Sequence, residues 1–317
     1  MPQDIHTLHH VTALAGDPQR NLDFYIGLLG MRLVKKTVNF DAPDVYHFYY
    51  GDETGQPGTI LTFFPFPGIR PGRQGTGQTT TTRFAVPVGA LPYWQARLQR
   101  AGIQVEAGTR FGEAFLAFSD PDGLGLALVE TPVGIGAAAS DIDPAYAIRG
   151  FHSVELTLAD AAPTAAVLTE LLGYAHLDTA GLRQRYGIPG QPAARIDLLA
   201  DPQAPRHHDG GGTVHHIAFR TADDDSQFDI RNRILQAGLF PSQVMDRQYF
   251  HSIYFREPGG VLFEVATDPP GFLVDESPET LGLGLKLPPW EEPRRDWIAQ
   301  HLRPVDLEAA RRSYADR

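Results

Sequence analysis

The sequence predicts an α+β fold built from four copies of one βαβββ unit. The order of one strand, one helix and further strands recurs along the 317 residues, and each copy spans roughly 55 to 70 residues. A glycine ends the helical pattern in every copy, at Gly30, Gly102, Gly173 and Gly238. Residues 134–147 are small and polar, which predicts a linker between two pairs of units.

The first two units have clear helix signals. Asp17 is a predicted N-cap with Pro18 at the first helical position, and apolar residues then recur at helical spacing as far as Leu29. In the second unit, Trp94 and Leu98 fall on one side of a short helix over 91–100. The predicted strands are 8–14, 32–40, 45–50 and 59–64 in the first unit, and 82–88, 103–107, 114–119 and 124–130 in the second.

The third and fourth units repeat this order. Their first strands begin at Phe151 and Val214, and their predicted helices cover 163–172 and 226–237. Strand 195–199 closes the third unit, and a hairpin over 247–264 with its turn at 258–260 closes the fourth. The predicted domains are 1–135 (units 5–66 and 79–132), 148–270 (units 148–202 and 211–270), and an arm over 271–317 with a short helix at 291–302.

Composition argues against several classes of function. The net charge of −11 argues against nucleic acid or an anionic membrane as a partner. Since no run approaches the length of a membrane span and the start lacks a basic-then-apolar signal, a cytoplasmic location is expected. The chain has no cysteine, so disulfides, thiolate metal sites and cysteine nucleophiles are excluded, and His, Asp and Glu remain as protein ligands.

Glu264 indicates a metal site because it lies in an apolar strand. A lone ionised carboxylate there would cost several kcal/mol unless a cation or dense hydrogen bonding compensates it. Two His-His pairs, His9-His10 and His215-His216, each open an apolar strand about two hundred residues apart. Two imidazoles and one carboxylate suit a borderline divalent metal, and with open positions they suit non-haem Fe(II).

Comparison of the four units selects the candidate ligands. Units one and four keep a histidine on the first strand, and only unit four keeps a glutamate on the last strand. We therefore predict one site, with ligands His10, His216 and Glu264, shared by units one and four, and a degenerate pair formed by units two and three. The aligned residues are His10, Arg83, Ser153 and His216 on the first strands, and Phe63, Ala127, Asp197 and Glu264 on the last strands.

This order and register resemble the vicinal oxygen chelate superfamily, in which paired βαβββ units curl into a cup around a metal. The resemblance covers nearly the whole chain apart from the tail. Ile253-Tyr254, Glu257-Pro258-Gly259-Gly260 and Glu264 match the pattern near the carboxylate ligand of extradiol ring-cleaving dioxygenases. The window 245–247 lacks the histidine of catechol enzymes and ends in Arg247. An arginine at this place, together with HTLHHVT at 6–12, TRFG at 109–112 and GFHS at 150–153, makes the sequence similar to hydroquinone-type ring-cleaving dioxygenases.

The resemblance implies two cup-shaped domains and a Fe(II)-dependent dioxygenase that inserts both atoms of O2 into a hydroquinone-type diol, with cleavage beside a hydroxylated carbon. It implies that Tyr254 exchanges a proton during catalysis and that Arg247 stabilises developing negative charge. His9, Thr12 and His215 are expected around the ligands and the substrate. Mn(II) suits the same ligands, and the sequence leaves a homo-oligomer open.

Three alternatives remain open from the sequence. The nearest is a catechol extradiol dioxygenase. A glyoxalase-like lyase or isomerase would need four ligands, typically with two carboxylates, and Phe63 and Ala127 count against it. A binding module similar to bleomycin resistance proteins would need no metal, and the three polar groups kept in an otherwise apolar cup argue against it.

Overall fold

The computed structural model describes residues 5–132, 134, 136 and 142–314. It confirms the α+β class and the four βαβββ units. The predicted linker lies only partly within the described residues, where 144–146 form a turn.

The first two units match their predicted order. Asp17 caps the first helix, since its side chain accepts a hydrogen bond from the backbone N–H of Arg20. The first unit comprises β1 (Leu8–Ala15), α1 (Pro18–Leu22) continued by a π-helix (Asp23–Leu28), β2 (Arg32–Asn39), β3 (Ala42–Gly51) and β4 (Ile60–Pro65). The second comprises β5 (Gln78–Val86), α2 (Leu91–Arg100), β6 (Glu106–Arg110), β7 (Glu113–Ser119) and β8 (Gly125–Glu130).

The third and fourth units complete the repeat. The third comprises β9 (Phe151–Leu158), α3 (Ala162–Ala166) continued by a π-helix (Val167–Leu171), β10 (Ala175–Ala180), β11 (Arg183–Gly187) and β12 (Arg195–Ala200). The fourth comprises β13 (Thr213–Thr221), α4 (Asp224–Gln236), β14 (Met245–Asp246), β15 (Phe250–Arg256) and β16 (Leu262–Pro270).

Two eight-stranded sheets contain all of these strands, and they do not follow the chain order of the units. One sheet has the order β14-β15-β16-β13-β1-β4-β3-β2, which joins units four and one. The other has the order β10-β11-β12-β9-β5-β8-β7-β6, which joins units three and two. The sheets therefore cross the division at 135 and 148, because β1 pairs antiparallel with β13 and β5 with β9. The domain bounds themselves stay a prediction.

The C-terminal arm lies against the first unit. The predicted helix over 291–302 is present as a 3-10 turn (Glu292–Arg294) and helix α5 (Arg295–His301), and an additional helix, α6 (Leu307–Arg312), follows. Two hydrogen bonds fix the start of α6: Gln19 Nε2 donates to Asp306 O at 2.9 Å, and Asp306 N donates to Gln19 Oε1 at 2.7 Å. No helix within the described ranges is long and apolar enough to cross a bilayer.

Candidate metal centre

His10, His216 and Glu264 meet at the centre of the first sheet. They lie on β1, β13 and β16, which are three neighbouring strands. All three side chains are buried, and Glu264 has no exposed surface. Within the part of the chain that the structure describes, they form the one group of His, Asp and Glu close enough to hold a metal ion.

The distances between the three ligand atoms fit a metal. His10 Nε2 lies 3.2 Å from His216 Nε2 and 3.2 Å from Glu264 Oε2, and His216 Nε2 lies 2.8 Å from the same oxygen. Three ligands at right angles on an ion with bonds near 2.1 Å would be separated by roughly 3.0 Å. Despite these short contacts, Glu264 Oε2 has no hydrogen bond of acceptable geometry with the described residues. The three atoms therefore converge on a shared point, as metal ligands do.

Glu264 is ionised in this setting. Burial alone would raise the pKa of this carboxyl group, but the facing imidazoles of His10 and His216 outweigh burial and hold the pKa well below its usual range. Ser252 Oγ donates to the other carboxylate oxygen, Oε1. Because Ser252 engages Oε1, Oε2 is the carboxylate oxygen available to a metal ion. Ser252 was not among the residues selected from the sequence.

His9 and His215 contact the ligands because each lies at a β-bulge. The β1/β13 ladder skips His9 on one strand and His215 on the other, so neither side chain follows simple alternation. The Nδ1 atoms of His9 and His10 lie 2.9 Å apart in a hydrogen bond, and those of His215 and His216 lie 2.7 Å apart. Burial lowers the pKa of His9 well below its usual value and lowers the pKa of His215 to about 4, so both rings are neutral near pH 7.

Tyr254 and Arg247 lie beside the ligands on the fourth unit. Tyr254 is directly across from Glu264 in the β15/β16 ladder, and its ring centroid lies 5.6 Å from that of His216. Arg247 Nε donates to Tyr254 Oη at 3.1 Å, and Arg247 Nη1 lies 3.4 Å from an Asp41 oxygen. Burial raises the pKa of Tyr254, and Glu264 raises it further, so the phenol keeps its proton.

A cavity of about 460 Å³ borders the centre, which is within the usual size range of small-molecule sites. His10 and His216 form part of its wall, together with Thr12, Arg247 and Tyr254. The apolar part of the wall is formed by Leu14, Phe40, Phe64, Phe66, Phe250 and Leu262. The structure thus brings every predicted site residue except His9 into the metal group or the cavity wall, and His9 contacts His10.

Thr62, and not Phe63, takes the place in unit one that Glu264 holds in unit four. The ladders pair Thr12 with Thr62 and Ala218 with Glu264, so the two pairs are equivalent. Phe63 is fully buried on the other face of β4. The sequence register was wrong by one residue here because β4 is an apolar run without polar alternation around Phe63.

The register of Arg83 was also wrong, by two residues. In the second sheet Thr81 pairs with Glu155 and Arg83 pairs with Ser153. In the first sheet His10 pairs with Ala218 and Thr12 pairs with His216 in the same way, so Thr81 holds the position of His10. A run of four threonines precedes Arg83, so this strand gives no apolar pattern that fixes the register. The positions assigned to Ala127 and Asp197 agree with the ladders.

His47 is a further polar residue of the cavity that sequence reasoning missed. Its Nε2 lies 2.9 Å from Thr62 Oγ1, and its ring packs between Tyr49 and Phe64 with centroid distances of 4.0 and 4.3 Å. Burial is the main cause that lowers the pKa of His47 well below its usual value, so the ring is neutral. The signal that would have found it is its spacing from Tyr49, which matches the spacing of Ser252 from Tyr254.

Comparison with known proteins defines the class. The chain belongs to the Glyoxalase/Bleomycin resistance protein/Dioxygenase superfamily, whose family model matches residues 7–128 and 150–265. Glyoxalase I from Zea mays superposes with a TM-score of 0.63 over 83% of this chain and 92% of that chain. At 16% identity this likeness concerns the fold alone.

More similar proteins narrow the class to enzymes named for ring cleavage. "Putative ring-cleaving dioxygenase MhqO" of Bacillus subtilis (strain 168) is 45% identical over 302 residues, covering 95% of this chain and 96% of that protein. "Chlorohydroquinone/hydroquinone 1,2-dioxygenase" of Sphingobium indicum is 37% identical over 315 residues, covering 95% and 97%. A crystal structure of a "putative dioxygenase" from Bacillus subtilis has a TM-score of 0.93 at 44% identity, covering 96% and 99%.

Proposed function

We propose that this protein is a Fe(II)-dependent ring-cleaving dioxygenase that inserts both atoms of O2 into a hydroquinone-type aromatic diol, beside a hydroxylated carbon. The observation that carries the proposal is the convergence of His10, His216 and Glu264 on one point beside the cavity. The names of relatives at 37% and 45% identity support ring cleavage, and one of them includes hydroquinone.

His10, His216 and Glu264 would hold the metal on one side. Iron bound there would supply open coordination positions for the diol and dioxygen, and a centre through which electron density passes between them. The neutral rings of His9 and His215 orient the imidazoles of His10 and His216 through the Nδ1 contacts, which would leave each Nε2 to hold the ion. Mn(II) suits the same donor set and is the natural comparison metal.

Tyr254 holds a proton close to the reacting oxygens. Its phenol is protonated because burial raises its pKa, and Arg247 Nε donates to its oxygen. Arg247 remains a cation at any working pH, so it stabilises negative charge that develops on substrate or dioxygen oxygens. Tyr254 is the group placed to give and take back a proton at Oη.

The cavity wall favours an aromatic ring. Phe64, Phe250 and Leu262 present apolar surface beside the metal centre, and this surface excludes water from the reacting groups. Flat apolar walls with a few polar groups suit a small aromatic diol better than a flexible polar substrate.

Among the described residues no fourth ligand joins the three, which disfavours a glyoxalase-like reaction. Thr62 occupies the position equivalent to Glu264, and its Oγ1 is shared between Thr12 and His47. A metal held here has three protein ligands within the described ranges of the chain. Catechol remains the nearest alternative substrate.

The test is oxygen uptake by protein loaded with Fe(II) under argon and then exposed to O2 with hydroquinone, methylhydroquinone or catechol in parallel. We expect one O2 consumed per ring opened, with the hydroquinones preferred. Metal-free protein and Zn(II)-loaded protein control for autoxidation of the diol. No uptake above these controls, or turnover that persists under argon, would contradict the proposal, and a preference for catechol would replace the substrate assignment.

A further inference from the structure

The turn that carries Arg247 contacts both the cavity and the C-terminal arm. Arg247 and Phe250 line the cavity, and Tyr249 packs against the arm. Arg247 contacts Tyr254, and the ring of Phe250 lies 5.0 Å from each ring of His9 and His10. Tyr249, which lies between Arg247 and Phe250 in the chain, is 1% exposed and packs away from the cavity.

The backbone of this turn is tight. Arg247 N donates to Phe250 O at 3.0 Å, and Tyr249 N donates to Arg247 O at 2.8 Å. Gln248 between them has φ +66°, which a side-chain-bearing residue rarely adopts. Because so few residues separate the two sides, a displacement of Tyr249 displaces Arg247 and Phe250 as well.

Three contacts hold Tyr249 against the first residues of the arm. Its Oη donates to Asp275 Oδ2 at 3.0 Å, and its carbonyl accepts from Gly271 N at 2.9 Å. Its ring stacks on Phe272 with a centroid distance of 5.1 Å and an interplanar angle of 28°.

Lys35 on β2 joins the arm to the same place. Its side chain is fully buried, and its Nζ donates to Asp275 Oδ1 and Glu276 Oε2, each at 2.5 Å, and to Phe272 O at 3.2 Å. These three oxygens use all three donors of the ammonium group, which offsets the cost of its burial. Nζ also lies 4.8 Å from the centroid of the Tyr249 ring.

We propose that Lys35, Asp275 and Tyr249 form a latch through which the C-terminal arm positions Arg247 and Phe250 in the catalytic cavity. The latch residues belong neither to the metal group nor to the cavity wall, so they are positioning residues. The side chain of Arg247 contacts Tyr254, Met245 and Asp41, but Tyr254 and Met245 belong to the same unit as Arg247, and Asp41 is largely exposed. The inference rests on the proposed function only for its effect on turnover.

The latch is tested with Tyr249→Phe and Asp275→Asn in the full-length protein, with Lys35→Met as a third variant. Tyr249→Phe removes one hydroxyl and keeps the ring, so the fold is expected to survive. Glu292→Gln is the matched control, because it removes an exposed ion pair with Arg295 in the same arm. The first readout is trypsin cleavage after Arg247, located by mass spectrometry, which requires neither metal nor substrate.

We expect cleavage after Arg247 to rise roughly tenfold or more in Tyr249→Phe and Asp275→Asn, since loss of a hydrogen bond to a charged group raises the open population of the turn by about that factor. With iron content unchanged, kcat for hydroquinone should fall roughly tenfold, and Glu292→Gln should match the wild type in both readouts.

Wild-type cleavage after Arg247 in both variants would overturn the latch. Loss of turnover that follows loss of iron, with no new cleavage at Arg247, would overturn it as well. If the wild-type protein does not turn over hydroquinone at all, the proposed function fails, and the cleavage experiment still decides the latch.

Discussion

The two eight-stranded sheets have equivalent strand orders, but the buried carboxylate at one equivalent position has different partners in each. Glu264 in the first sheet and Asp197 in the second hold equivalent places, and neither has exposed surface. Around Glu264 two imidazoles converge with their Nε2 atoms. Around Asp197 two guanidinium groups converge: Arg185 donates to both carboxylate oxygens at 2.7 and 3.0 Å, and Arg83 donates at 3.0 Å.

This difference shows that the fold keeps a place for a buried negative charge, and that the neighbouring residues decide what balances it. In the second sheet the counter-charge is fixed protein, and Arg83 also pairs with Glu155, which Arg110 and Arg183 contact as well. In the first sheet the neighbours are imidazoles, which carry no fixed charge, so a bound cation can serve as the counter-charge. A carboxylate balanced by arginine supports structure, whereas one balanced by a metal can support chemistry.

The largest expected effect is loss of metal from the first sheet when one of its three candidate ligands is removed. His10→Ala, His216→Ala and Glu264→Ala should each abolish retention of iron while leaving the fold intact, because three ligands are the minimum that holds the ion on one side. Metal analysis after dialysis measures the retained iron, and circular dichroism checks that the fold is intact. Stoichiometric iron in any of these variants would remove that residue from the ligand set.

A second comparison concerns Arg247, in the turn after β14 of the first sheet, and Arg185, on β11 of the second. Arg247→Ala should keep the metal and lower kcat roughly 100- to 1,000-fold, because a positioned charge that stabilises developing negative charge is lost. Arg185→Ala should instead destabilise the protein by about 3–5 kcal/mol, because Asp197 is left with an incomplete counter-charge in the interior. Full activity in the Arg247 variant would remove Arg247 from the mechanism.

The two carboxylates should differ in metal-free protein. Asp197→Asn should cost about 3–5 kcal/mol, since Arg83 and Arg185 cannot lose their protons and each loses its fully buried carboxylate partner. Glu264→Gln should change stability by about 1 kcal/mol or less, because His10 and His216 can become neutral when the acid is removed. Urea unfolding of both variants without metal checks this, and equal losses would mean that Glu264 is also a structural ion-pair partner.

A smaller effect is expected from building the missing fourth ligand. Thr62→Glu places a carboxylate at the position equivalent to Glu264, so iron should dissociate roughly 10- to 100-fold more slowly while oxygen uptake falls. Thr62→Val, which has no ligand atom, is the control. Unchanged iron release in the glutamate variant would show that this side of the cup does not face the ion.

The sequence was sufficient for the repeat and for the convergence of His10, His216 and Glu264, because both leave local signals. Apolar strands opening with His-His, and a glutamate inside an apolar strand, are visible without coordinates. The pairing of unit one with unit four agrees with the shared site that was predicted, but the sequence contained no signal for the sheet order itself. The identity of the metal and of the diol stays a proposal.

The parts that sequence reasoning missed depend on backbone irregularities and long-range packing. His9 and His215 were expected around the ligands, but strand alternation alone would direct each side chain to the face opposite its neighbour, and the two bulges that bring them to His10 and His216 left no signal in the sequence. Thr62 and Thr81 lie in runs where polarity does not fix the register. Helix α6 is short and its position depends on contact with Gln19, far away in the chain.

Anomalous diffraction at the iron edge, on crystals loaded with Fe(II) and exposed to hydroquinone under argon, tests the central claim most directly. We predict one strong peak within about 2.3 Å of His10 Nε2, His216 Nε2 and Glu264 Oε2, with a hydroquinone oxygen beside it on the cavity side. An absent peak, a peak elsewhere in the molecule, or an ion whose remaining positions are closed by further side chains would contradict the account.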